Sequence, residues 1–195
     1  MSRPGAAERA TNETRVAVRV DLDGTGKAEI ATGIGFFDHM LELLVRHAAL
    51  DAEIRAEGDL HVDEHHTVED VGLVLGAALA DALGERRGIR RYGFLLPMDE
   101  ALARVALDLG GRPFVVFEAE FRRERVGELP TELVEDFVRA FAQSLGANLH
   151  VRVEYGRNDH HKVEAIFKGI GRALRAAIEE DPRLRDEIPS TKGVL

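Results

Sequence analysis

The segment His65-His66-Thr67-Val68-Glu69 is the most informative about the architecture, because the same pattern recurs later in the chain as His160-His161-Lys162-Val163-Glu164. The copies begin at residues 65 and 160, and a shift of 95 positions superposes both histidines, the valine and the glutamate. The same shift also superposes four small or apolar pairs: Gly76 with Gly171, Ala78 with Ala173, Leu79 with Leu174 and Ala82 with Ala177. Two unrelated amphipathic helices would share the apolar spacing but not the histidines and the glutamate. The sequence therefore indicates an internal duplication.

The segments around each copy follow the same order of predicted elements. In the first half we expect strands at residues 16–20 and 28–32 joined as a hairpin, a helix at 36–48, a strand at 52–56 and a helix at 67–83. In the second half, strands at 102–109 and 114–119 joined by a Gly110-Gly111 turn precede a helix at 131–145, a strand at 151–155 and a helix at 161–179. This order predicts an α+β fold of two β-β-α-β-α halves, with the helices packed on one face of the sheet.

The length and composition are those of a globular protein. The chain has 195 residues, of which 45% are hydrophobic and 31% are charged, so bulk disorder is excluded. We expect four segments: a polar N-terminal arm at 1–12, the first half at 13–95, the second half at 96–185 and a C-terminal tail at 186–195.

The charge and the absence of cysteine exclude several classes of function. With no cysteine, the chain has no disulfide framework, no thiolate zinc site and no cysteine nucleophile, and any metal ligands must be histidines and carboxylates. A net charge of −9 argues against a broad nucleic-acid surface. The N-terminus has no apolar signal region, and no stretch has the length of a membrane span. We therefore expect a cytoplasmic protein with no nucleic-acid or membrane partner.

Each histidine cassette, meaning residues 65–69 or 160–164, has an informative geometry on a helix. His65 and Glu69 are four residues apart and share a face, whereas the adjacent His65 and His66 diverge by about 100°. One cassette therefore cannot easily direct both histidines at one ion, but two cassettes can hold two ions. Imidazole and carboxylate together suit borderline divalent metals. A single cassette is typical of a solvated polar face, but the duplicated pair favours metal ligation.

Other histidines and several basic residues are ambiguous by spacing alone. His39 and His150 each have a setting more typical of a hydrogen-bonded core histidine, and we interpret His47 and His61 as structural. The arginines and lysines next to glycine or in the tail could bind an oxyanion, although each alone is more typical of a solvated side chain. They lie in the segments Arg90-Arg91-Tyr92-Gly93, Gly111-Arg112-Pro113 and Pro189-Ser190-Thr191-Lys192-Gly193, with Lys168 one turn beyond Glu164.

Six motifs carry a resemblance to a known family: Asn12-Glu13-Thr14, residues 33–41 around Phe37-Asp38-His39, residues 63–70, Gly111-Arg112-Pro113, residues 160–168 and Ser190-Thr191-Lys192. Together they resemble the imidazoleglycerol-phosphate dehydratase family in its monofunctional form, without a fused phosphatase domain. The resemblance covers nearly the whole chain beyond residue 8 and implies dehydration of imidazole glycerol phosphate to imidazole acetol phosphate in histidine biosynthesis. It also implies a homo-oligomeric shell of twenty-four subunits with sites at subunit boundaries. Thr191 stands where serine is more usual, and Gly169 and Gly171 make the last helix unusually rich in glycine.

The resemblance also implies a set of site residues. The ligands of two manganese ions would be His39, His65, His66, Glu69, His150, His160, His161 and Glu164. The substrate would be bound by Glu13, His39, His65, Arg91, Arg112, His160, Lys168, Ser190 and Lys192, of which Arg91, Arg112, Ser190 and Lys192 match the phosphate-contacting positions. The catalytic carboxylates would be Glu13, Glu69 and Glu164.

Two other functions remain compatible with the residues. A dinuclear metallohydrolase acting on a phosphate ester also uses histidine and carboxylate ligands to activate water, usually with the ions close together and bridged. A histidine-rich metal buffer or assembly protein would need the ligands but would leave Arg91, Arg112 and Lys192 without a purpose. An assay with imidazole glycerol phosphate and manganese separates the three.

Overall fold

The computed structural model describes residues 2–182, 187–193 and 195, apart from the side chains of residues 92–95. Met1, residues 183–186 and Val194, which belong to the predicted arm, second half and tail, lie outside the described residues. The first half contains β1 (Pro4–Ala10), β2 (Thr14–Asp21), β3 (Ala28–Ala31), α1 (Gly35–Ala48), β4 (Asp51–Gly58) and α2 (His65–Leu83). The second half contains β5 (Tyr92–Met98), β6 (Ala101–Asp108), β7 (Phe114–Glu118), β8 (Arg125–Val126), β9 (Leu129–Pro130), α3 (Leu133–Leu145), β10 (Asn148–Tyr155) and α4 (Asp159–Ile178).

The two halves form two four-stranded sheets with the same topology. Sheet 1 has the order β1-β2-β4-β3, and sheet 2 has the order β5-β6-β10-β7. In each sheet the first two pairs of neighbours are antiparallel and the last pair is parallel. The duplicated α+β fold is thus confirmed. Each four-stranded sheet has one strand more than we expected, and the second half also contains the unexpected short pair β8–β9.

The additional strand of the first half, β1, lies where we expected a polar arm. It pairs with β2 along its whole length, with Pro4 opposite Asp21 and Ala10 opposite Arg15. Only Gly5 of this strand is buried. The strand therefore lacks the alternating apolar side chains by which a sequence reveals a strand. β5 is its counterpart in sheet 2 and was likewise not expected.

The prediction that β2 pairs with β3, and β6 with β7, as hairpins is wrong. β4 lies between β2 and β3, and β10 lies between β6 and β7. The pairs β3–β4 and β7–β10 are parallel and are connected through α1 and α3, because parallel neighbours need a long crossover. The turn residues near 23–26 and 110–111 end a strand, but they do not determine which strand becomes its neighbour.

All four helices lie between the two sheets. α1 and α2 pack on sheet 1, α3 and α4 pack on sheet 2, and across the middle α1 contacts α4 and α2 contacts α3. The expected burial of one face of each sheet is therefore confirmed. Phe137 joins the halves, with its ring centroid 5.5 Å from that of Phe37 and 5.0 Å from that of Phe167. Among the described residues, no helix is both long and apolar enough to cross a membrane.

The helix glycines permit this packing. A Cβ atom on Gly76 of α2 would lie 2.5 Å from the carbonyl oxygen of Phe141 on α3. At the duplicated position, a Cβ atom on Gly171 of α4 would lie 2.4 Å from the carbonyl oxygen of Leu44 on α1. Glycine in a helix costs about 1 kcal/mol relative to alanine. Here the residue is required because the two backbones approach too closely for a side chain.

Candidate functional site

The first cassette begins α2. Both carboxylate oxygens of Asp59, which follows β4, lie 3.1 Å from His66 Nδ1, and Glu13 Oε2 lies 3.8 Å from His66 Nε2. The interaction with Asp59 raises the pKa of the His66 imidazole, and the charge of Glu13 adds to the effect. His65 is more open, with its Nδ1 atom 3.6 Å from Asp136 Oδ2 on α3. Glu69 is exposed.

The second cassette lies in the first turn of α4 and has a similar acidic environment. Glu100 Oε2 lies 2.7 Å from His161 Nδ1, and Asp99 Oδ2 lies 3.9 Å from His161 Nε2. The hydrogen bond with Glu100 raises the pKa of His161. The same bond, with the backbone N–H group of Asn158, lowers the pKa of Glu100 to about 2. His160 Nε2 lies 3.6 Å from Glu164 Oε2.

Glu164 differs from Glu69 in being nearly buried and paired. Its Oε1 atom lies 2.5 Å from Lys168 Nζ, one helical turn further on. Lys168 Nζ also donates to the sulfur of Met98 at 3.2 Å. The structure therefore brings Lys168, a predicted substrate-binding residue, into direct contact with a predicted metal ligand.

α1 adds His39 to the second cassette. The centroid of the His39 ring lies 6.3 Å from that of His160, and the Phe36 ring lies 5.1 Å from the same imidazole. His39 is half exposed, and Glu42 Oε2 lies 3.9 Å from its Nδ1 atom. His39 thus lies on the surface beside a cassette, where it can act as a ligand, rather than in the core.

The segment of residues 120–130, which includes the short hairpin β8–β9, ties the starts of three helices together. Arg125 Nη2 lies 2.6 Å from Glu64 Oε1 at the start of α2. The backbone N–H group of Gly35 at the start of α1 donates to Glu128 Oε2 at 3.2 Å. The buried Asp159 accepts backbone N–H groups of residues 122 and 123 at the start of α4. Both cassettes and His39 therefore share one end of the molecule, which we call the histidine end.

The structure also brings the predicted phosphate-contacting residues together. Arg91, Arg112, Ser190 and Lys192 line one cavity of about 480 Å³, with the backbone of Gly110. Arg91 donates to both oxygens of Asp108 and, through Nη1, to the carbonyl oxygen of Pro189 at 3.0 Å. Asp108 neutralises one of the three cationic side chains, so the cavity keeps a positive excess that suits an oxyanion.

This basic cavity lies far from the histidine end within the chain. The backbone N–H group of Arg91 donates to the carbonyl oxygen of Ala177 near the end of α4, whereas His160 lies near its start. At a rise of 1.5 Å per residue the two positions are roughly 25 Å apart. His150 lies on the same side of the molecule as the basic cavity. It is exposed on β10, and its ring centroid lies 6.3 Å from that of Phe114. A small substrate cannot reach both ends of one chain.

The predicted ligands fit a divalent metal by type but not within a single chain. Imidazole and carboxylate are suitable donors, yet no group of three or more histidine and acidic side chains converges on a metal position in the part of the chain that the structure describes. The side chains of His39, His65 and His160 are 46%, 46% and 41% exposed, so donors from another chain can reach them. The residues therefore fit a divalent metal by donor type, and these three imidazoles are accessible to further donors.

Sequence reasoning missed two acidic residues of the histidine end, Asp59 and Glu100. Glu100 occupies the β5–β6 turn as Glu13 occupies the β1–β2 turn, and the two lie 87 positions apart. The same offset relates Asp21-Leu22 to Asp108-Leu109. Extending this offset back to Glu13 would have identified Glu100. No comparable signal marks Asp59.

The chain is similar to proteins of one family throughout its length. A family model described as imidazoleglycerol-phosphate dehydratase matches residues 32–174. A protein of that name from Xanthobacter autotrophicus is 63% identical over 188 residues, covering 96% of this chain and 95% of the relative. One from Methylorubrum extorquens is 56% identical over 194 residues, covering 99% of this chain and all of the relative.

Two solved structures of proteins with the same name share the fold. The imidazoleglycerol-phosphate dehydratase of Staphylococcus aureus superposes with a TM-score of 0.82 at 37% identity, covering 91% of this chain and 99% of that one. The Pyrococcus furiosus protein, in complex with (S)-C348, gives a TM-score of 0.83 at 36% identity, covering 97% of this chain and 100% of that one.

Proposed function

The chain belongs to the imidazoleglycerol-phosphate dehydratase family of histidine biosynthesis, and we propose that it uses two manganese ions to remove water from imidazole glycerol phosphate, giving imidazole acetol phosphate. The observation that carries the proposal is the combination of two histidine cassettes at one end with a basic cavity at the other. An imidazole ring suits the first and a phosphate group suits the second.

The proposed metal ligands are the eight residues that match the family motifs. When bound, the metals act as Lewis acids that withdraw electron density from the imidazole ring of the substrate. Affinity order alone would favour zinc over manganese at such ligands, so the choice of manganese rests on the family resemblance. The proposed ligands are His39, His65, His66, Glu69, His150, His160, His161 and Glu164.

The proposed proton transfers use carboxylates of the histidine end. Water leaves from the carbon beside the imidazole, and a proton leaves from the next carbon, which no carbonyl group acidifies. Glu13 is suited to move protons because it is exposed and lies 3.8 Å from His66 Nε2, beside a proposed ligand. Glu69 and Glu164 are the other candidate carboxylates, and Glu164 is already paired with Lys168.

The basic cavity is the proposed phosphate site. Arg91 and Arg112 offer planar forks, Lys192 a point charge and Ser190 a hydroxyl group. Arg91 donates hydrogen bonds to the carbonyl oxygen of Pro189 and to the carboxylate of Asp108, which fix the position of its side chain. Fixing the phosphate end places the imidazole ring in register with the metals, which is a positioning contribution to catalysis.

We further propose that the catalytic site is shared between subunits. Support comes from the roughly 25 Å between the cavity and the second cassette, together with the incomplete ligand groups within the described residues. The family resemblance suggests a shell of twenty-four chains. Metal removal should then leave unpaired carboxylates and imidazoles at the boundaries and shift the protein to smaller oligomers. Light scattering with chelator, then with manganese restored, measures this shift, and one unchanged mass would contradict it.

The catalytic proposal is tested by incubating the protein with imidazole glycerol phosphate and manganese and by measuring the ketone product. A dinuclear phosphatase would instead release inorganic phosphate, and a metal buffer would leave the substrate unchanged. Formation of the ketone, dependent on the metal, supports the dehydratase. Phosphate release or no reaction by fully loaded protein would contradict it.

A further inference from the structure

The carboxylate of Glu100 is held between the backbone and an imidazole. Its Oε1 atom accepts the backbone N–H groups of Asn158 at 2.8 Å and Arg157 at 3.2 Å. Its Oε2 atom lies 2.7 Å from His161 Nδ1. The two oxygens therefore have separate tasks: one anchors the side chain to the loop before α4, and the other faces the histidine.

The first cassette also has a carboxylate at Nδ1 of its second histidine, although both oxygens of this carboxylate face the ring. Both oxygens of Asp59 lie 3.1 Å from His66 Nδ1. The first histidine of each cassette is different, because within the described residues the closest carboxylates to the His65 and His160 rings lie 3.6 Å away, beyond hydrogen-bond distance. A carboxylate thus contacts Nδ1 of the second histidine of both cassettes.

A carboxylate at Nδ1 determines which nitrogen of a neutral imidazole carries the hydrogen. A neutral ring has one N–H donor and one lone pair, and an ionised carboxylate can only accept. The hydrogen is therefore placed on Nδ1, and the lone pair of Nε2 is left for a metal. We propose that Asp59 and Glu100 are positioning residues that hold His66 and His161 in the Nδ1–H tautomer. The benefit to metal binding rests on the proposed function, whereas the tautomer itself does not.

The anchoring of Glu100 makes an isosteric change informative. In Glu100→Gln, the two backbone N–H groups still require the amide oxygen as their acceptor, so the NH2 group must face His161. That group donates a hydrogen bond to Nδ1, which places the ring hydrogen on Nε2 and blocks the nitrogen intended for the metal. Glu100→Ala only removes the acceptor at Nδ1, so neither nitrogen of the His161 ring is favoured as the one that carries the hydrogen. The proposal therefore predicts a larger effect for the conservative variant than for the truncation.

The test is the 15N spectrum of histidine-labelled, metal-free protein at alkaline pH, recorded by solid-state NMR so that particle size does not matter. We expect Nδ1 of His161 to be protonated in the unaltered protein, a mixture of tautomers in Glu100→Ala and protonated Nε2 in Glu100→Gln. Manganese titration should then show affinity lowered roughly 10–100-fold in Glu100→Gln. Glu85→Gln, an exposed glutamate paired with Arg87, is the matched control and should change neither measurement.

Three results would overturn the inference: protonated Nε2 on His161 in the unaltered protein, an unchanged tautomer in Glu100→Gln, or an inverted tautomer with unchanged manganese affinity. Failure of the proposed function looks different. In that case the unaltered protein would show the expected tautomer but bind no manganese.

Discussion

The two cassettes have the same sequence pattern but different surroundings. Glu164 of the second cassette is nearly buried and lies 2.5 Å from Lys168. The duplicated position of Lys168 in the first half is Leu73, and the exposed carboxylate of Glu69 makes no hydrogen bond or ion pair with the residues that the structure describes. The duplication has thus kept the six proposed ligands of the cassettes and changed the side chains around them. We infer that the two cassettes are equivalent as ligands but differ in the groups that contact them.

The turns after β2 and β6, at the end of the sheets away from the cassettes, differ more than the two cassettes do. The turn after β6 contributes Arg112 to the basic cavity. The corresponding turn after β2 has Thr25 in its place, and its backbone N–H group donates to Asp51 at 2.7 Å. Asp51 accepts that N–H group and Asp23 is paired with Arg3, so this turn has no arginine of its own for an oxyanion. One chain therefore has two cassettes but one proposed phosphate site.

The largest expected effect tests whether both cassettes contribute metal ligands. His66→Ala and His161→Ala should each abolish dehydration and lower the metal content by about one ion per chain, because each helix contributes to the ions. Elemental analysis and the activity assay measure this. His61→Ala, at an exposed histidine, is the control. Full metal loading of both cassette variants would show that the two-cassette account is wrong.

The next effect tests the difference between the two turns. Arg112→Ala or Lys192→Ala removes a charge-assisted phosphate contact worth roughly 1.5–3 kcal/mol. Substrate affinity should therefore fall by one to two orders of magnitude while metal content is unchanged. Thr25→Ala, at the duplicated position of Arg112, should have no effect. If all three variants bound the substrate with equal affinity, the basic cavity would not be the phosphate site.

A smaller effect tests the surroundings of the two glutamates. Lys168→Leu gives the second half the residue that the first half has at the duplicated position, Leu73. The nearly buried Glu164 then loses its ion-pair partner. We expect a loss of about 1–3 kcal/mol, seen as a drop of several degrees in Tm at fixed protein concentration. Leu73→Lys gives exposed Glu69 a partner and should change stability by no more than about 1 kcal/mol. Similar shifts in both variants would contradict the inferred asymmetry.

The smallest effect concerns pH. Asp59 and Glu100 raise the pKa values of His66 and His161 in the folded, metal-free protein. Their contribution to stability is therefore fully present below the unfolded pKa of about 6.5 and is lost as pH rises through the folded values. Bound metal requires neutral imidazole, so the loaded protein should show the opposite slope. Tm measured against pH in both forms checks the signs, and parallel slopes would contradict them.

The sequence predicted the features that depend on local periodicity and on the duplication. The helices begin and end within two residues of their expected bounds, since their apolar spacing and terminal glycines are local signals. Strand pairing depends on distant parts of the chain, so β1 was missed and β3 was placed beside the wrong neighbour. The same limit applies to the site. Spacing identified both cassettes, but it could not show that Asp59 folds back onto His66 or that Arg112 lies far from His160.

The central claim, that one catalytic site combines residues of different chains, is tested most directly by complementation. Glu13→Gln changes the histidine end and Arg112→Ala changes the cavity, and each variant alone should have little activity at a substrate concentration well below saturation. The two variants carry different tags, are expressed together, and mixed oligomers are purified through both tags. Mixed oligomers of Glu13→Gln with the double variant Glu13→Gln/Arg112→Ala are the control, because they contain no intact Glu13. The account predicts activity in the first mixture well above that of either parent and none in the control. Mixed oligomers no more active than their parents would show that each site lies within one chain.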